Sequence, residues 1–206
     1  MELNQEFINK LASKAPTPGG GGASAYCGAL ASALSSMVGN LTLGKKAYEQ
    51  VQDGVKEALA QLEDQRYRLL ALVDEDAQVF KPLSRAYTMP KSTPEEAEKK
   101  EVALQKALIG ATEVPLQIMK VCAQVIATSE FLAYNGSRLA LSDAGVAVLF
   151  AEAALKGASF SVFANTALIS DAERAQRYCK EATDLIKEYS VLAEKIYEHV
   201  LKETRK

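Results

Sequence analysis

The sequence predicts an all-α fold: an up-and-down antiparallel helical bundle, homodimeric, with residues 1–206 forming a single domain. Three observations lead there. Apolar residues recur in alternating steps of three and four along most of the chain, and no segment alternates as a convincing strand would. The connections between the periodic segments are short, which makes consecutive helices antiparallel neighbours. One helix is built from alanine, serine and glycine, small enough for close backbone approach at the centre of a bundle or along a dimer seam.

Taken in order, Asn4 can cap a short first helix whose Phe7, Ile8 and Leu11 lie at helical spacing, and Pro16 ends any extension of it. Pro16, Pro18 and the four glycines Gly19 to Gly22 read as a loop, with the small-residue helix starting near Ala23 and carrying Leu30, Leu34, Met37, Val38 and Leu41. Gly44 breaks it. From about Lys46 to Arg85, Leu59, Leu62, Arg66, Leu69, Val73, Ala77 and Phe80 form the seam of a long helix, Arg66 being the polar exception that snorkels or pairs. Pro82 and then Tyr87 to Pro94 mark the clearest loop. Thr93-Pro94-Glu95-Glu96 is a capping box with proline at the first helical position, and it opens a helix to about Thr128 that Pro115 should kink or divide. Tyr134-Asn135-Gly136-Ser137, or the nearby Ser142-Asp143, is the next connection, followed by an alanine- and glycine-rich helix to about Leu168. Ser170-Asp171-Ala172-Glu173 is a second capping box, opening a last helix striped with Leu185, Ile186, Tyr189, Leu192, Ile196 and Val200.

Composition narrows the function classes. A formal charge of −2 gives no reason to expect nucleic acid or an anionic membrane as partner. No uninterrupted apolar run reaches the length of a bilayer span and the N-terminus is polar rather than signal-like, so the cytoplasm is the expected location. Cys27, Cys122 and Cys179 are far apart and in no metal-type spacing, and read as buried thiols of a reducing compartment. The single histidine, His199, makes a histidine triad or a classical zinc site improbable, so no metal is expected. Acid–base chemistry must fall to carboxylates, lysine or tyrosine.

Five clusters are candidates for that chemistry, each with a bland alternative. A glycine loop feeding a helix N-terminus, as at Pro18 to Ser24, presents free N–H groups and a positive dipole end to an anion or polar ligand; otherwise it is a flexible linker. Asn40, Thr42, Lys45 and Lys46 follow at the far end of that helix, where the lysines can meet an anion or simply favour the C-terminal dipole. Asp74, Glu75 and Asp76 point about 100° apart on their helix, so they cannot form one cluster. Asp76 lies beside the Val73, Ala77 and Phe80 stripe, where an acid is either a structural ion pair or a proton-transfer group with raised pKa. Asn135 with Ser142 and Asp143 reads as ligand contacts or as helix capping. Asn165, late in a small apolar helix, hydrogen-bonds something buried or bound, or caps the helix C-terminus.

Together PTPGGGGASA, MVGNLTLGKKAY, DEDAQVF, NGSRLALSDAGVAV and KGASFSVFAN, in this order over nearly the whole chain, resemble the cyclodeaminase/cyclohydrolase domain of the formiminotransferase-cyclodeaminase family. A fourth glycine stands where the family pattern has serine, with Ser24 available in its place. The resemblance implies an all-helical homodimer that binds tetrahydrofolate derivatives and needs no cofactor beyond that substrate. It implies 5,10-methenyltetrahydrofolate cyclohydrolase activity, hydrating the methenyl compound to 10-formyltetrahydrofolate. The alternatives are a formiminotetrahydrofolate cyclodeaminase, supplied by a separate formiminotransferase and releasing ammonia, and a non-catalytic folate-binding or scaffold dimer. It makes Asp76 the proton donor and acceptor and Asp143 a second polar group at the pterin or the one-carbon unit. Pro18, Gly19, Gly20, Gly21, Gly22 and Ser24 then line the folate, Asn40 and Asn165 orient the ring, Thr42, Asn135 and Ser142 add polar contacts, and Lys45 or Lys46 meets the glutamate tail.

Overall fold

Helix formation begins inside the glycine run rather than after it. In a computed structural model, which describes residues 4–206, α1 spans Gln5–Leu11 and α2 Gly20–Asn40, so that Gly20 to Gly22 are its first turn and Gly19 its N-cap. A 3-10 turn, Lys46–Val51, leads into α3, Gln52–Thr88, and α4 spans Pro94–Asn135. After a second 3-10 turn, Arg138–Ala140, come α5, Leu141–Thr166, and α6, Ala172–Thr204. No strand is present among the described residues.

The punctuation explains most of these limits. Asn4 caps α1 through Phe7 N–H, and α2 stops where the chain turns through Gly44, the one glycine with positive φ (+73°), a conformation that disfavours side chains. The capping box at Thr93 forms in full, with Thr93 Oγ1 accepting from Glu96 N–H and the Glu96 carboxylate accepting from Thr93 N–H. The second box does not form: Asp171, not Ser170, caps α6 through Arg174 N–H, and the residue at the box's reciprocal position is Arg174 itself. Neither proline divides its helix. Pro82 lies within α3, which runs six residues further instead of ending in a loop, and α4 continues through Pro115.

Helices α2, α3, α4 and α5 form an antiparallel ring in chain order, with α5 closing back onto α2, and α6 lies along α4 and α5. The core is a column of fully buried side chains, including Leu62, Leu69 and Leu72 of α3, Ile118, Met119 and Ile126 of α4, and Leu155 of α5. Each contributes about 1.5–3 kcal/mol by leaving water. α2 adds little bulk and instead lets its neighbours close in. Its serines satisfy themselves inside the core: Ser32 donates to Leu62 O at 2.6 Å and Ser35 pairs with Ser129 at 2.5 Å. Arg66 reaches across to Ser36 Oγ at 3.0 Å, which settles its place in the apolar seam.

A β-carbon on Gly28 would stand 2.8 Å from Cys122 Sγ and 3.2 Å from Leu69 Cδ1. Gly28→Ala is therefore expected to destabilise the bundle by about 1–3 kcal/mol through overpacking, read as a fall of several degrees in the thermal midpoint.

Two segments, Pro94–Asn135 and Arg138–Thr166, contain an 18-residue stretch apolar enough to cross a membrane by composition, unlike the absence of such a run expected above. The first is a core helix with 67% of that stretch buried in the bundle. The second is only 44% buried, because α5 is apolar on its outer face as well.

Candidate functional site

Asp76 is placed by the apolar stripe of α3. Val73 and Leu72 hold that face of the helix against the bundle, and one turn on, Asp76 meets the first turn of α2. The three consecutive acids diverge as their 100° spacing requires: Asp74 is exposed, Glu75 pairs with Arg68, and Asp76 turns inward. Gly22 N–H donates to Asp76 Oδ2 at 2.9 Å. No side chain of α2's own caps its N-terminus, so a carboxylate from another helix takes one of the free donors and faces the positive dipole end. The glycine at 21 is a steric requirement, because a β-carbon there would fall on the Asp76 carboxyl group. At Gly19 and Gly20 a β-carbon would meet nothing, since both face open space.

That open space is a cleft of about 210 Å³. One wall is Gly19 to Gly21 with Asp76; Phe80 and Leu83 of α3, Ala111 and Pro115 of α4, and Ser161 and Asn165 of α5 complete it. Pro115 and Asn165 belong together. Proline has no N–H to give the carbonyl four residues back, which leaves Ala111 O without its helical donor. Asn165 Nδ2 supplies the bond at 2.7 Å from α5. This fixes the amide's orientation and makes Asn165 a cross-helix donor rather than a C-cap.

The electrostatics single out Asp76. Burial raises its pKa above the ordinary carboxylate value, with the Gly22 N–H bond pulling the other way. It forms no ion pair among the described residues, so the structural salt bridge open to it from sequence is not made. The folded-state pKa lies above the unfolded one, so the buried charge costs stability above the folded value, and the cost vanishes as pH falls through it. Asp76→Asn is accordingly expected to be more stable than wild type at pH 7, with the advantage shrinking toward pH 4, as chemical denaturation at the two pH values would measure.

The other candidate residues lie elsewhere. Ser24 turns its hydroxyl to Gly20 O at 2.8 Å and packs against Gly157, and Pro18 lines a neighbouring groove with Asp74 and Lys10. Asn40, Thr42, Lys45, Lys46, Asn135, Ser142 and Asp143 all sit at the opposite end of the ring. There Thr42 Oγ1 accepts from Ser137 N–H at 2.7 Å, Lys45 Nζ donates to Ser137 Oγ at 3.4 Å, and Asn135 Nδ2 bonds Phe131 O in its own helix. Ser142 and Asp143 fall in the first turn of α5 and cap nothing, the N-cap being Ala140. α2 alone, at 21 residues, separates the two groups by about 31 Å. His199, also at that end, stacks on Tyr134.

Thr17, Phe80, Pro115 and Ser161 line the cleft without having been singled out from sequence. Phe80 and Ser161 carried a usable signal, each lying four residues from a candidate, Asp76 and Asn165, on the same helix face.

Comparison with known proteins matches residues 4–184 to the family model described as formiminotransferase-cyclodeaminase. The chain is 43% identical to a methenyltetrahydrofolate cyclohydrolase of Methylorubrum extorquens over 199 residues, which cover 97% of this chain and 96% of that protein. It is 32% identical to the formimidoyltransferase-cyclodeaminase of Gallus gallus over 88% of its length, but spans only 34% of that longer protein. The crystal structure of a formiminotetrahydrofolate cyclodeaminase from Thermotoga maritima superimposes with a TM-score of 0.80 at 30% identity, covering 98% of this chain and 95% of that one.

Proposed function

The chain belongs to the formiminotransferase-cyclodeaminase family, and from that premise we propose that it is a 5,10-methenyltetrahydrofolate cyclohydrolase working by carboxylate acid–base catalysis. The observation that carries the reading is Asp76: a half-buried carboxylate with no cation of its own, at the wall of a cleft lined by no other charged residue. The methenyl group is an amidinium cation. Bound in the cleft, it supplies the missing counter-charge, while Phe80, Leu83 and Pro115 offer a surface for a flat ring.

In this reading Asp76 takes a proton from water as the oxygen adds to the methenyl carbon. The adduct then opens: the bond from its carbon to the ring nitrogen breaks, Asp76 returns its proton to that nitrogen, and the adduct's hydroxyl proton leaves to solvent as the formyl carbonyl forms, giving the 10-formyl compound. Asp76 ends as it began. The free N–H groups of the α2 N-terminus orient the pterin's carbonyl oxygen, and Asn165, held on Ala111 O, sets the opposite wall. No cofactor beyond the tetrahydrofolate substrate enters the scheme, and a homodimer in the cytoplasm is part of the same reading.

The test is loss of methenyl absorbance on adding purified protein to 5,10-methenyltetrahydrofolate, with 5-formiminotetrahydrofolate scored in parallel for ammonia. Loss faster than in buffer supports the cyclohydrolase. Ammonia release with methenyl build-up replaces it with the cyclodeaminase reading, which the fold shared with the Thermotoga maritima enzyme favours; that activity would draw on a separate formiminotransferase. Folate binding without either reaction leaves a binding protein.

A further inference from the structure

We propose that the folate site is completed by a second copy of this chain, whose Lys45 and Lys46 cross an α2/α5 seam to reach the substrate's glutamate carboxylates. This rests on the folate reading above. The cleft at Asp76 is half a site: its 210 Å³ falls below the roughly 300–1,000 Å³ of pockets that enclose a ligand of this size. None of the residues lining it is cationic, although the substrate's tail is anionic.

The face that would receive the second copy is on the outside of α2 and α5. Along α2, Ala23, Leu30, Ala33 and Met37 point away from the bundle, Tyr26 on the same stripe packs against Phe7 of α1, and no charged residue stands anywhere in the helix. Along α5, Val146, Leu149 and Phe150 are more than a third exposed and Phe160 is 76% exposed. The two stripes adjoin, since Cys27 Sγ reaches Phe150 O at 3.4 Å. A helix apolar all round is one that is covered. Two adjacent helices about 31 Å long and about 10 Å wide offer about 600 Å² per copy, close to the roughly 800 Å² of a standard stable interface.

Charge and register choose the orientation. With α2 parallel to its partner, Lys45, Lys46 and Arg138 of the two copies would meet one another. Antiparallel pairing separates them and sets each positive α2 N-terminus against a negative C-terminus. A two-fold axis through the middle of the stripe, near Ser32, brings Gly19 to Gly22 of one copy level with Thr42 to Lys45 of the other. The two candidate groups that one chain holds about 31 Å apart then meet, twice, in the dimer.

The test mixes two variants. Asp76→Asn removes the base from one end, and Lys45→Ala with Lys46→Ala removes the cations from the other, raising KM for a polyglutamate substrate about tenfold at unchanged kcat. Unfolded together and refolded, the two form hybrids in which one site carries both changes and the other is intact. At substrate below KM the mixture should recover about a quarter of wild-type activity. Full affinity in the double lysine variant, no recovery in the hybrids, or a KM effect that follows Lys10→Ala instead would overturn the proposal. Light scattering should give the wild type twice the chain's 22.2 kDa. Leu30→Glu with Met37→Glu should give single chains that bind tetrahydrofolate polyglutamate at least about tenfold more weakly, a readout independent of turnover. Wild-type binding by those single chains also overturns it. A wild-type dimer that binds in this seam-dependent way but turns over neither substrate would remove the catalytic reading and leave the shared site standing.

Discussion

Asp76→Asn is expected to lower turnover at least ~100-fold while the bundle stays folded, the usual scale for losing a positioned acid–base group. The asparagine keeps the shape and the oxygen that Gly22 N–H needs, so the first turn of α2 retains its cap. What it loses is the proton and the negative charge facing the methenyl cation. Those two losses separate by pH. In the wild type kcat/KM should rise with pH through an apparent pKa above the ordinary carboxylate value, because burial holds the carboxyl protonated to higher pH. In the variant that limb should disappear, leaving a flat, low rate. A folded variant with near-wild-type turnover, or one that keeps the rising limb, would remove Asp76 from the mechanism and point to another carboxylate.

The framework was legible because its signals are local. The alternation of threes and fours along α3 and the capping box at Thr93 depend only on residues near one another, and both are found where the sequence places them. Two features depend on distant partners and were read wrongly or only in part. Glycine is about 1 kcal/mol worse than alanine in a helix, which makes a run of four read as a loop. The run is helical because Asp76 of α3 comes too close to tolerate a β-carbon at position 21 and caps the helix at Gly22. Pro115 reads as a kink or a break because it removes a donor, and the helix is not divided there because Asn165, fifty residues on, restores one. That the candidate residues fall into two groups within one chain could have been found by arithmetic on the sequence. Gly20 and Asn40 stand at the two ends of one helix, and a helix of 21 residues keeps its ends about 31 Å apart.

Gly21→Ala should be nearly as damaging to activity as loss of Asp76 itself, and should leave stability almost unchanged. The added β-carbon would lie 2.6 Å from Asp76 Cγ, against 3.4–4 Å for an ordinary contact, so the carboxyl group must move by about 1 Å. A displacement of that size at a reacting group costs about 100-fold in rate. Stability is spared because two terms oppose: the Gly22 bond to Asp76 weakens, while alanine replaces glycine in the first turn of a helix, worth up to about 1 kcal/mol. The assignment of the effect to Asp76 rests on a double-mutant cycle. In an Asp76→Ala background the clash is gone, so adding Gly21→Ala should leave the residual rate unchanged and raise the thermal midpoint. If Gly21→Ala instead lowers the midpoint by several degrees in both backgrounds, the glycine serves the backbone of α2 itself. If it lowers the residual rate in the Asp76→Ala background too, its β-carbon blocks the substrate directly, and the close approach of α2 to α3 exists to shape the cleft rather than to aim the carboxylate.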